Sequence, residues 1–110
     1  MYFIDTHSHL FDEAFDTDRT EAVARALEAG VSKIILPAID SSSYRAMVEL
    51  QQAYPENFFL LAGLHPTTVN EIGDRQSDIA DVEQIIRSHK HKFYGIGEVG
   101  LDLYWDKEQV

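Results

Sequence analysis

The sequence predicts an α/β fold in which parallel strands alternate with helices. Four short apolar segments have the length and composition of strands, and amphipathic segments of helical period lie between them. No proline- or glycine-rich linker divides the chain. Because this (βα)₃β order requires right-handed crossovers, the sheet is expected to be parallel. The pattern leaves two architectures open, a doubly wound sheet and part of a (βα)₈ barrel.

The first half of the chain shows the alternation clearly. Residues 2–7 predict a short strand. Asp18 is placed to cap a helix, with Glu21 at the capping-box spacing, and Gly30 stands where a left-handed C-terminal cap is expected. A second strand is predicted over residues 31–38.

The second half repeats the pattern. Ser41 or Ser42 can begin a helix that Pro55 ends. The third strand, at residues 57–64, contains an apolar run that is typical of a strand buried on both faces. A polar stretch, a third amphipathic helix and a fourth strand follow, at residues 67–77, about 79–86 and 93–99.

Composition and charge restrict the function. The chain has 110 residues, of which 45% are hydrophobic and none is cysteine, so it predicts one domain without a disulfide or thiolate metal site. A net charge of −10 disfavours binding along an extended phosphate backbone, because such binding depends on many lysine and arginine contacts. No basic leader is present, and no apolar run approaches the roughly 18 residues of a membrane span. A cytoplasmic protein without a membrane partner is expected.

The segment Asp5-Thr6-His7-Ser8-His9 is the most informative, because side chains two residues apart on a strand point the same way. His7 and His9 can therefore face one metal ion, and Asp5 has the same parity and can orient an imidazole ring. The alternative is a pair of surface or core histidines. The chain contains a second such pair, His89-Lys90-His91, but it precedes the fourth strand and is expected at the opposite end of the sheet.

Two further segments end predicted strands at the same edge as His7 and His9. Glu98 follows an apolar strand, where an unpaired carboxylate would be costly to bury, and the glycines around it permit close approach of a ligand or backbone. Its alternative role is an exposed strand end. His65, before Pro66, can contact a substrate phosphate, transfer protons or hydrogen-bond its own loop. The sequence therefore predicts one rim shared by three strand ends.

With these segments identified, the sequence resembles the TatD-type metal-dependent deoxyribonucleases, which carry a DTHxH opening, a GxHP segment and a GExGLD segment in this order. The corresponding segments here are residues 5–9, 63–66 and 97–102. Two positions differ from the family's pattern. Thr67 and Thr68 follow the proline, where many relatives have a histidine or aromatic residue, and Leu103 replaces the usual tyrosine.

The resemblance implies a (βα)₈ TIM barrel and a site with two divalent ions, Mg, Mn or Zn. By it, His7 and His9 ligate one ion, Glu98 is the catalytic residue that bridges it to a second, and His65 binds substrate phosphate. The implied activity is hydrolysis of DNA phosphodiester bonds. A related hydrolase acting on amides or small phosphoesters is the alternative enzyme, since fold alone does not determine substrate.

The length implies an incomplete domain. A barrel of this type takes about 250 residues, so the resemblance makes residues 1–110 the N-terminal half, with the later histidine pair and aspartate of the family's site absent. Such a half barrel has open parallel edges at its first and fourth strands. We expect it to be catalytically incomplete and to pair with another copy or with the missing C-terminal half. A non-catalytic association module is the alternative from another class.

Overall fold

The computed structural model describes residues 1–71, 75–89 and 92–105. Its strands are β1 (Phe3–Asp5), β2 (Val31–Pro37), β3 (Phe58–Ala62) and β4 (Phe93–Ile96). Its helices are α1 (Arg19–Glu28), α2 (Tyr44–Ala53), α3 (Pro66–Glu71) and α4 (Arg75–His89), with 3₁₀ turns at Glu13–Phe15 and Ser41–Ser43. Every neighbouring strand pair is parallel. The predicted α/β class is confirmed.

The order of the strands separates the two predicted architectures. The sheet runs β1-β2-β3-β4, so each strand pairs with the next one along the chain. A doubly wound sheet would reverse this order at a switch point, whereas a barrel continues it in one direction. The strand order of the described residues is therefore that of the first four strands of a barrel.

The helices cover one face of this sheet. The buried core contains residues from α1, α2 and the two central strands, and its members are Phe11, Val23, Ile34, Leu36, Ala38, Met47, Leu50, Phe58 and Leu60. In β3, Phe58, Leu60 and Ala62 are buried, whereas Phe59 and Leu61 between them are only partly buried. Burial of β3 on both faces was predicted from its apolar run, and that prediction is wrong for this chain, because the described helices pack against a single face.

The opposite face and the edge strands remain apolar and accessible. Phe59 and Tyr94 meet edge to face with ring centroids 5.0 Å apart, and the Lys33 ammonium lies 5.4 Å from the Phe59 ring. Large apolar side chains are also exposed in β1, in β4 and in the segment after β4, and they include Phe3, Ile4, Ile96, Val99, Leu101, Leu103 and Trp105. This surface has the apolar composition of a protein interior.

Helix α1 ends as predicted but begins differently. Gly30 has φ +94°, the left-handed conformation that a glycine accommodates without strain. Asp18 occupies the N-cap position, yet its side chain makes no capping hydrogen bond. The predicted capping box with Glu21 is absent. The first turn is held instead by Arg19, whose guanidinium binds the carbonyls of Leu10 and Phe11 at 2.7 and 3.1 Å.

The next helical segments also begin at other residues than predicted. Asp40, rather than Ser41 or Ser42, caps the turn before α2: its side chain accepts from the amide of Ser43, and Ser43 bonds back to the Asp40 backbone. Helix α3 occupies the start of the stretch that the sequence analysis described only as polar. It begins at Pro66, whose fixed φ suits the first helical position. None of the helices in the three described ranges has the length and apolarity to cross a membrane, and a cytoplasmic location stays a prediction.

Candidate metal centre

His7 and His9 follow the end of β1. The strand stops at Asp5, earlier than predicted, but the amide of Ser8 still donates to the carbonyl of Ile35 at 3.0 Å. The segment therefore stays extended against β2. The two imidazole rings are tilted by 46°, with centroids 5.0 Å apart, so the chain brings them to one side as the spacing predicts.

Two contacts hold this segment in place. The Asp5 carboxylate accepts a hydrogen bond of 3.0 Å from the backbone amide of His7, and thus orders the turn instead of orienting a ring, the role that its parity suggests. The His9 ring lies 5.4 Å from that of Phe11, which is buried in the core. The backbone of one histidine and the ring of the other are thereby tied to the fold.

Glu98 reaches the site because the chain turns across the sheet after β4. The amide of Gly97 donates to the carbonyl of Ala62 at 2.8 Å, and the amide of Glu98 donates to that of Ala38 at 2.9 Å. Ala38 in turn donates to the carbonyl of Gly97 at 3.0 Å. Residues 97 and 98 are thus hydrogen-bonded to the ends of both β3 and β2, and Glu98 is carried towards the segment that follows β1.

This crossing depends on Gly63, directly after β3. A Cβ atom at that position would lie 2.5 Å from the carbonyl oxygen and 2.7 Å from the nitrogen of Glu98, far inside van der Waals contact. The equivalent Cβ at Gly97 would meet only side-chain atoms, the nearest on Leu61 at 3.0 Å and the next residue Pro37 at 3.7 Å, and at Gly95 the nearest atom is 3.4 Å away. The sequence analysis assigned close approach to the glycines around Glu98 and missed Gly63, although a glycine ending an apolar strand is itself a signal of close backbone contact.

The Glu98 carboxylate lies at the centre of a histidine cluster. Its Oε2 atom is 3.2 Å from Nε2 of His7 and 3.2 Å from Nε2 of His9. The Glu98 side chain is 23% exposed and that of His7 is 54% exposed, so solvent reaches the cluster from the His7 side. The three side chains predicted as metal ligands therefore meet at one point.

His65 meets the same carboxylate from the other side. Its backbone amide donates to the carbonyl of Ile39 at 2.7 Å, which fixes the start of the loop after β3. Its Nε2 atom is 2.9 Å from Oε1 of Glu98. All four side chains that the sequence analysis selected, from three separate strand ends, thus lie at the carboxyl edge of the sheet.

The second histidine pair is located elsewhere. His89 is the last residue of α4, and its ring packs 5.0 Å from that of Tyr44. Lys90 and His91 lie outside the described residues. His89 is therefore in the helical layer, before β4, as the position of the pair predicts.

The donor set fits a divalent metal ion. One ligand atom each from His7, His9 and Glu98 can be chosen so that all three lie within 4.8 Å of one another. Imidazole nitrogen suits zinc and other transition metals, and carboxylate oxygen suits magnesium and manganese. Because the set contains both kinds of donor, it is compatible with magnesium, manganese and zinc and does not discriminate among them.

Comparison with known proteins shows that the chain is similar to metal-dependent hydrolases. A family described as TatD related DNase matches residues 4–110. The chain is 33% identical over 109 residues to the uncharacterized metal-dependent hydrolase YjjV of Escherichia coli K12, with 97% of this chain and 40% of YjjV aligned. It is 30% identical over 100 residues to the 3′-5′ ssDNA/RNA exonuclease TatD of Edwardsiella piscicida, covering 91% of this chain and 37% of that protein.

Solved structures agree with these relatives. The crystal structure of YjjV, a TatD homolog, superposes with a TM-score of 0.81 at 33% identity, over 97% of this chain and 40% of that one. A TatD family hydrolase from Entamoeba histolytica has the same fold, with a TM-score of 0.80 at 24% identity over 99% and 42% of the two chains. The chain thus spans about two-fifths of the length of these relatives. Since the family match extends over nearly every residue from the first strand onwards, the chain belongs to the TatD-related DNase family of metal-dependent hydrolases.

Proposed function

We propose that this chain is part of a divalent-metal-dependent phosphodiesterase acting on DNA, and that residues 1–110 belong to its (βα)₈ barrel domain. The observation that carries the proposal is the position of Glu98 Oε2, which lies 3.2 Å from Nε2 of both His7 and His9. A carboxylate and two imidazoles directed at one point offer a ready set of ligands.

Each residue has a separate task in this proposal. His7 and His9 would hold a divalent ion, and Glu98, the catalytic residue, would contribute its carboxylate to the same centre, which in the intact enzyme would take two ions. The bound metal would supply activation of an attacking water and stabilisation of the negative charge that develops on the phosphate. Mg, Mn and Zn are the candidate ions. The further ligands that a second ion needs are expected from the part of the enzyme that corresponds to the remaining length of its relatives.

A DNA substrate is supported by the names of relatives and is compatible with the charge. The Edwardsiella relative is named as an exonuclease of single-stranded DNA and RNA. A chain of charge −10 is poorly suited to track a long phosphate backbone. Bound cations would offset the acidic charge locally, so that recognition of one phosphodiester at the metal centre requires no basic groove.

A metal titration tests the ligand assignment. Replacing His9 or Glu98 by alanine removes a proposed donor atom, so the affinity for Mn²⁺ or Zn²⁺ measured by calorimetry is expected to fall by at least about tenfold, the scale known for even outer-shell changes. His89→Ala is the matched control, because this histidine packs on Tyr44 in the helical layer. Equal affinity in all variants would exclude this cluster as the metal site.

The Gly63→Ala variant tests how Glu98 is positioned. The added methyl group collides with the Glu98 backbone at 2.5 Å, so the carboxylate is expected to move away from the histidines and Mn²⁺ affinity to fall by about tenfold or more. Gly100→Ala is the control, since its Cβ would meet only Pro66, at 3.6 Å. Thermal unfolding monitors whether each variant is folded. A folded Gly63→Ala protein with unchanged affinity contradicts the proposed role of this glycine.

Substrate class is tested by supplying end-labelled single-stranded DNA and an amide substrate with Mg²⁺, Mn²⁺ or Zn²⁺. Metal-dependent release of nucleotides is expected from a form as long as the relatives, and it should be lost when that form carries His7→Ala or Glu98→Ala. The assay should compare this chain with a longer form of the protein that matches its relatives in length. Activity found only in the longer form would identify residues 1–110 as an incomplete module. Hydrolysis of the amide alone would favour the alternative hydrolase, and DNA cleavage that survives both substitutions would remove the proposed site from the chemistry.

We also propose that the exposed apolar edges pair with a second copy of this chain when no further barrel strands cover them. Light scattering is then expected to give a mass above the 12.5 kDa of a monomer, rising with concentration. Ile4 is 53% exposed in the edge strand β1. The Ile4→Lys substitution should favour the monomer, because a charge on an edge strand opposes pairing. A folded monomer at every concentration would refute this part of the proposal.

A further inference from the structure

Both ring nitrogens of His65 have polar partners, and Nδ1 is hydrogen-bonded. Nδ1 lies 3.1 Å from the backbone nitrogen of Thr67 and 2.7 Å from its hydroxyl oxygen. Nε2 lies 2.9 Å from Oε1 of Glu98. The His65 side chain is 25% exposed, so its orientation is set mainly by these protein contacts.

The contacts with Thr67 determine which ring nitrogen carries the hydrogen. A backbone N–H can only donate, so Nδ1 of His65 must be an acceptor and carry no hydrogen. The Thr67 hydroxyl, 2.7 Å from the same nitrogen, must then also donate. The ring hydrogen is left on Nε2, the nitrogen that lies 2.9 Å from Oε1 of Glu98.

The two oxygens of Glu98 therefore have different partners. Oε1 lies 2.9 Å from Nε2 of His65, whereas Oε2 faces Nε2 of His7 and of His9. A close polar contact at one oxygen restricts rotation of the carboxylate about its last bond and keeps the other oxygen directed at the histidine pair. Outer-shell contacts of this kind with a ligating group orient it and tune its affinity for metal.

We infer that His65 is a positioning residue for Glu98, and that Thr67 selects the ring tautomer that makes it a donor. This deepens the proposed function, on which it rests. The direct contact with substrate phosphate expected for His65 from the sequence would require a ring nitrogen to leave one of these partners.

Two substitutions at His65 separate positioning from phosphate binding. Glutamine can place an amide donor near the position of Nε2, whereas asparagine is too short to reach Glu98. His65→Gln is expected to keep Mn²⁺ affinity within about threefold, and His65→Asn to lower it about 10- to 100-fold. Unchanged metal affinity in both variants, with weaker DNA binding, would overturn the inference in favour of direct substrate contact.

Substitutions at Thr67 test the tautomer. Thr67→Val removes the hydroxyl donor and is expected to weaken Mn²⁺ binding by a few-fold, whereas Thr67→Ser should restore it. Thr68→Val is the matched control, because it makes the same change one residue further on, at a buried side chain that is outside the cluster. Equal affinities in all three would contradict the role of the Thr67 hydroxyl.

Nitrogen-15 NMR of the His65 ring reports which ring nitrogen carries the hydrogen, and it requires neither bound metal nor enzymatic activity. In the metal-free chain the hydrogen is expected on Nε2 alone, with the Nδ1-protonated form becoming detectable in Thr67→Val. A ring hydrogen on Nδ1 in the unsubstituted protein would overturn the inference. Failure of the proposed metal site is distinguishable, because His9→Ala would then leave Mn²⁺ affinity unchanged while the NMR result at His65 could still hold.

Discussion

The contact between the Glu98 carboxylate and imidazoles from two other strand ends is the interaction on which the site depends. The parallel sheet and the path of the chain after β4 both bring these groups together. One carboxylate oxygen lies 3.2 Å from each histidine of the opening segment, and the other lies 2.9 Å from His65. Without an acidic group among them, three clustered imidazoles would repel one another whenever they were protonated. Without the imidazoles, a carboxylate that is only 23% exposed would lack partners for its charge.

The sheet makes this contact possible by its winding. Because every strand pairs in parallel with the next along the chain, all four carboxyl ends lie at one edge, where side chains from distant parts of the sequence converge. Parallel order alone leaves β1 and β4 separated by two strands. The chain after β4 closes that gap by hydrogen-bonding across the ends of β3 and β2, and the missing side chain at Gly63 leaves room for it.

The same geometry is consistent with an acidic hydrolase. A protein of charge −10 has little capacity to attract a polyanion over long distances. In the proposed function, a local centre built from histidine and carboxylate binds cations and, through them, a single phosphate. His65, hydrogen-bonded to Thr67, lies against the Glu98 oxygen that faces away from the histidine pair.

The sequence by itself determined the alternation of strands and helices, the parallel sheet, and the identity of the clustered residues, because these follow from local periodicity and from short motifs. His7, His9, His65 and Glu98 were selected from their positions after apolar strands, and the structure brings all four together. The cap at Asp40, the helix at Pro66 and the partial burial of one face of β3 depended on which surfaces the chain packs together. Only the tertiary structure decided the strand order, the crossing near Gly63 and the division of the Glu98 oxygens among three histidines, because each arises from contacts between residues far apart in the chain, which no local pattern encodes.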